Sequence, residues 1–99
     1  MNWNALTIST ILPRDYGFVG LYGHFSNPDF NYFCDCLLMP NEKLDALQIE
    51  EGNTIRFKSN LETVEDTIGP MTAEVCLIPV MVERLPPENP VLKFPSLKR

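Results

Sequence analysis

The sequence predicts an all-β protein: five short strands closed into a small barrel, with one short helical turn and an extended, proline-rich C-terminal tail. Three observations carry this reading. The run Arg14-Asp15-Tyr16-Gly17-Phe18-Val19 sets two aromatics at period two around a glycine, which on a strand puts both rings on one face. Residues 54–58 alternate cleanly, with Ile55 and Phe57 inward and Thr54, Arg56 and Lys58 outward. Short apolar and aromatic runs are separated by proline, glycine and asparagine.

Residues 5–12 read as the first strand, with Leu6 and Ile8 sharing a face. Pro13 with Arg14 and Asp15 makes a turn, and residues 17–22 form the second strand. Gly23 and the Asn27-Pro28 pair mark a loop over residues 23–29. Residues 30–38, rich in aromatic and small apolar side chains, form the third strand. Residues 40–47 make a helical turn, with Asn41 as its cap and Leu44 and Leu47 three apart. After the fourth strand, 54–58, a polar loop over 59–68 carries Glu62, Glu65 and Asp66, and residues 71–82 form the last long strand. Leu85-Pro86-Pro87-Glu88-Asn89-Pro90 can neither pair as a central strand nor continue a helix. The chain therefore divides into a barrel body, 1–82, and an extended tail, 83–99. The tail reads either as a linker or as a short peptide that docks through Leu92 and Phe94, on a partner or back on the barrel.

Ninety-nine residues bound one small domain. No apolar run is long enough to span a membrane, and Met1-Asn2-Trp3-Asn4 lacks the basic start of a signal peptide, so an intracellular protein, cytoplasmic or nuclear, is expected. Cys34, Cys36 and Cys76 are odd in number and lack zinc-ligand spacing, so they read as reduced thiols, with no metal or cofactor expected. Residues 1–82 carry four basic and eleven acidic side chains, a formal charge of −7. Affinity for nucleic acid rests largely on phosphate neutralisation, and a body this acidic repels a polyanion at long range. His24 has no nucleophile or acid placed beside it by spacing, and no phosphate-binding glycine loop occurs, so no enzyme is expected.

The Arg14–Val19 run resembles the first ribonucleoprotein motif, which the RNA-recognition motif and the cold-shock domain share. Thirteen residues precede it, too few for the strand, helix and strand of the former layout. Ile49-Glu50-Glu51-Gly52-Asn53-Thr54-Ile55-Arg56-Phe57 is similar to the cold-shock family's fourth-strand segment, and Gly69-Pro70-Met71-Thr72-Ala73-Glu74-Val75 to the start of its fifth strand. The resemblance covers about residues 6–78 and implies a five-stranded OB-fold barrel of cold-shock type. It also implies a binding face carrying Arg14, Tyr16, Phe18 and Phe33, with Arg56 and Lys58 as supporting cations. Within the family's second motif, Asp35 stands in place of a stacking histidine and Cys36 in place of a stacking phenylalanine. Those changes remove stacking area worth roughly 1–3 kcal/mol per base and add a negative charge. The expected function is thus a non-catalytic module that docks protein partners in an RNA-handling complex, with at most weak single-stranded RNA binding and no membrane contact. The alternative is a genuine single-stranded RNA or DNA binder using the aromatic face. Trp3 and Phe25 are further candidates for an exposed apolar patch.

Overall fold

Alternating patterning assembles seven strands into one sheet, seen in a computed structural model that describes residues 2–60, 63–69 and 72–86. The strands are β1 (Asn4–Pro13), β2 (Phe18–Phe25), β3 (Cys36–Pro40), β4 (Thr54–Lys58), β5 (Thr63–Gly69), β6 (Thr72–Leu77) and β7 (Met81–Arg84). Two short helices, α1 (Phe30–Phe33) and α2 (Asn41–Leu47), flank β3. The sheet order is β5-β6-β3-β2-β1-β4-β7. All ladders are antiparallel except β3–β6, where Cys36 pairs with Cys76 and Leu37 with Leu77 in parallel.

The five closed strands expected from the sequence are seven, in an open order. The expected last strand, 71–82, is divided into β6 and β7 by the segment 78–80, where Pro79 has no N–H to give a ladder. That segment links strands far apart in the sheet order, and Val80 N–H donates to the Lys58 carbonyl at 2.8 Å. The run β6-β3-β2-β1-β4-β7 is thus joined end to end by the chain itself. Part of the expected polar loop, 59–68, is strand β5, which forms a hairpin with β6. Thr63, Val64, Thr67 and Ile68 supply β-branched residues there.

The third strand starts at Cys36 rather than at Phe30. Asn27 Oδ1 accepts the Asp29 N–H at 3.0 Å, and the N–H groups of Phe30 and Asn31 donate to the Asn27 and Pro28 carbonyls. These local bonds begin a helical turn instead of a strand. Helix α2 matches its expected span, but Pro40 occupies the cap position and Asn41 is the first helical residue. It ends at Gln48, φ +55°.

One core gathers a face from every strand whose side chains are described. Leu6, Ile8, Leu21, Phe25, Leu37, Ile55, Phe57, Leu77 and Val82 are buried together with Phe30 of α1. The rings of Phe25, Phe30 and Phe57 lie 5.6–6.0 Å apart. Leu44 and Leu47 of α2 pack on one side. Phe25, expected as an exposed candidate, is instead a core ring, because it falls at the inward position of β2 opposite Leu6. Gly23 lies within β2 rather than in a loop, where a Cβ would meet the Thr7 carbonyl oxygen at 1.9 Å. A second, smaller cluster of Cys36, Leu38 and Cys76 occupies the opposite face, flanked by Phe18 and Tyr22, so β3 is covered on both sides.

Candidate functional site

The residues expected to form one binding face divide among four places. The first is the tip of the β1–β2 hairpin. Tyr16 and Gly17 have φ of +60° and +77°, Phe18 N–H closes onto the Asp15 carbonyl, and Arg14 N–H donates to the Phe18 carbonyl at 2.8 Å. Tyr16 therefore stands on the turn, 96% exposed, while Phe18 opens β2 and leans on the smaller cluster. The two rings do not share a strand face. Gly17, expected to begin the second strand, sits in a left-handed turn instead.

The second place is a half-buried polar cluster on the outer face of β2, β3 and β6. Arg14 and Glu74 side chains are only 6% and 16% exposed and meet at 2.7 Å. The Arg14 guanidinium also donates to the Tyr22 hydroxyl at 2.5 Å, and that hydroxyl donates to Glu74 Oε1 at 2.5 Å. Burial, then the hydrogen bond to Glu74, pushes the Tyr22 hydroxyl up from its ordinary value. Behind this trio, Cys36 and Cys76 face each other across the β3–β6 ladder with sulfurs 3.0 Å apart. Burial foremost, then the bond to Cys76, raises the Cys36 thiol. Donor atoms of Cys36, Glu74 and Cys76 lie within 4.8 Å of one another, a grouping of metal-ligating types. Glu74 Oε1 is already engaged by Arg14 and Tyr22, and the guanidinium opposes a second cation there.

Asp35 borders this cluster and clasps β6. Its N–H donates to the Val75 carbonyl at 2.7 Å, and its Oδ2 accepts the Val75 N–H at 2.8 Å. The carboxylate is turned to the backbone of β6. The third place holds Phe33, 38% exposed and edge-on to Phe30 at 4.9 Å. These rings, with Asn2, Asn4, Asn27 and Asn60, line a cleft of about 430 Å³.

The fourth place is the outer face of β4. Arg56 and Lys58, two apart and on one face, cover the Trp3 ring at 4.2 and 4.7 Å. Arg56 also pairs with Glu83 of β7 at 2.6 Å. Leu92 and Phe94 lie outside the described residues.

Tyr22 and Glu74 were not among the expected site residues. Tyr22 had a signal: Phe18, Gly20 and Tyr22 share a strand face, and a Cβ on Gly20 would sit 3.1 Å from the Tyr22 ring. Glu74 had none, being sixty residues from Arg14. Among the described residues no helix is long and apolar enough to cross a membrane. No family model matches the chain, and no curated protein or solved structure matches it either.

Proposed function

We propose that this chain is a non-catalytic, cold-shock-like OB module that docks a protein partner in an RNA-handling complex and has at most weak affinity for single-stranded nucleic acid. Several features support the OB reading. Strands β1, β2 and β3 form a meander, α2 lies between β3 and β4, and β4 returns to β1. The final run then touches β3 through β6 and β4 through β7, as in a partly open Greek-key barrel with β5 added.

Tyr16 carries the docking reading. A non-glycine residue at positive φ costs free energy, and a ring that is 96% exposed returns none of it through packing. Exposed aromatics of this kind serve as anchors in partner interfaces. The body's charge of −7 favours a partner that is basic around its aromatic-accepting pocket. Phosphates find little here: Arg14 is buried against Glu74, and Arg56 is held by Glu83 and Trp3.

One observation favours the second reading, single-strand binding: a tryptophan flanked by two cations on the β4 face. Titration with mixed single-stranded RNA and DNA at low salt, followed by backbone amide shifts, separates the two. Weak binding that vanishes at physiological salt is expected. Submicromolar binding with a steep salt slope, and shifts centred on Trp3, Arg56 and Lys58, would replace the docking proposal with the second reading. Recovery of partners from extract should fall with Tyr16→Ala and survive nuclease treatment; partners lost to nuclease were bridged by RNA.

A further inference from the structure

We infer that Cys36 and Cys76 form a disulfide site that staples β6, and the β5 hairpin it carries, to β3. The two residues are register partners in adjacent parallel strands, and their sulfurs already lie 3.0 Å apart. Neighbouring strands sit about 4.8 Å apart, inside the Cα separation of roughly 4.4–6.8 Å that a disulfide spans. Closing the bond needs the sulfurs to approach by about 1 Å. Cys34, the third thiol, has its backbone two residues before Cys36 and packs into the main core, apart from the smaller cluster that holds the pair.

The location gives the bond a consequence. The β3–β6 ladder runs through Cys36–Cys76 and Leu37–Leu77, with Asp35 and Val75 clasped just beyond it. It is the short joint by which β5 and β6 attach to the meander. A covalent link there also constrains the unfolded chain between residues forty apart. Both thiols are fully buried, and a buried thiol is a poor nucleophile. The bond therefore forms as the chain folds, or when β6 lifts from β3, and persists once the hairpin is seated.

With hydrogen peroxide as oxidant the chemistry balances. One thiolate attacks a peroxide oxygen, the O–O bond breaks, and a sulfenic acid forms as the first water leaves. The second thiolate attacks that sulfur, the S–O bond breaks, and a second water leaves. Two thiols give up two electrons and two protons, and hydrogen peroxide becomes two waters.

The test uses the full chain as wild type, Cys34→Ser and Cys76→Ala, each fully reduced and then treated with dilute hydrogen peroxide. After unfolding in iodoacetamide, mass spectrometry and a non-reducing peptide map locate the bond. Wild type and Cys34→Ser should remain monomeric, lose two hydrogens and show the Cys36 peptide joined to the Cys76 peptide. Their melting temperature should rise by about 5 °C or more and return on reduction. Cys76→Ala, which keeps the joint apolar, should show no such rise. A bond that includes Cys34, a disulfide-linked dimer, or three thiols that all still alkylate would overturn the inference. Zinc alone shielding Cys36 and Cys76 from both peroxide and iodoacetamide would also overturn it, by making the pair a metal site.

Discussion

Tyr16 sets its backbone against its side chain. A left-handed conformation costs an ordinary residue roughly 1–2 kcal/mol, and asparagine tolerates it better than tyrosine. Tyr16→Asn should therefore raise stability by about 0.5–1 kcal/mol while weakening partner capture, read from denaturant midpoints beside a pull-down. A lower midpoint would mean that the ring stabilises the hairpin after all. The half-buried trio behaves in the opposite way. Removing Glu74 leaves the Arg14 guanidinium, whose side chain is only 6% exposed, without its charge partner, so Glu74→Ala should cost about 2–3 kcal/mol, below the full buried-pair loss because Glu74 keeps some contact with water. The double replacement Arg14→Met with Glu74→Met should cost much less, and equal losses would show that the pair packs mainly through its carbon chains. Cys34 gives a pH signature. Burial, then the charge of Asp35, pushes its thiol up to about 11 from an ordinary 9.0. The folded state holds this proton more tightly than the unfolded chain does. The stability gained is complete below about pH 9 and is lost as pH rises toward 11. Tyr22 and Cys36, raised as well, act in the same direction. Cys34→Ala should make the alkaline fall in melting temperature shallower, and an unchanged slope would count against this account.

At the scale of elements, two glycines that looked alike in sequence do different work. Gly52, at φ +97° with open space around it, is needed only for its backbone angle, so Gly52→Ala should cost about 1–2 kcal/mol. Gly23 has an ordinary φ but faces the Thr7 carbonyl beside the β1 bulge between Ile8 and Thr10. Gly23→Ala must part β1 from β2 and should cost at least about 3 kcal/mol, the larger loss of the two by calorimetry. The reverse order would place the bulge elsewhere. The same contrast explains what the sequence made legible. Alternation at Leu6–Ile8 and Ile55–Phe57 announced β1 and β4, because a half-buried strand writes its period into hydropathy. Leu44 and Leu47 announced α2. Phe30 and Phe33 were misread because three-residue spacing over four residues is too short to tell a helical turn from a strand. The candidate face was legible as residue types and not as geometry. Tyr16-Gly17 fits a turn as well as a platform, and Glu74 and Val75, which meet Arg14 and Asp35, come from β6, far along the chain.

Across the whole molecule, the strand order runs open while the covalent chain joins β6 to β7. One flank, β1-β4-β7, is tied by antiparallel ladders and the Arg56–Glu83 pair, and the other by the short parallel joint at Cys36–Cys76. Residues 1–82 carry a formal charge of −7, a like-charge repulsion that works against association between copies of the chain. Trp3 is the chain's one tryptophan, and Arg56 and Lys58 hold its ring against β4. It is therefore an optical probe built into one flank. Its emission should report the loosening of β4 with no label attached, while far-ultraviolet circular dichroism averages over every strand. Melting curves from the two signals should coincide if the flanks cooperate. If the β6 flank lets go first, the dichroism should fall while the fluorescence still reads native.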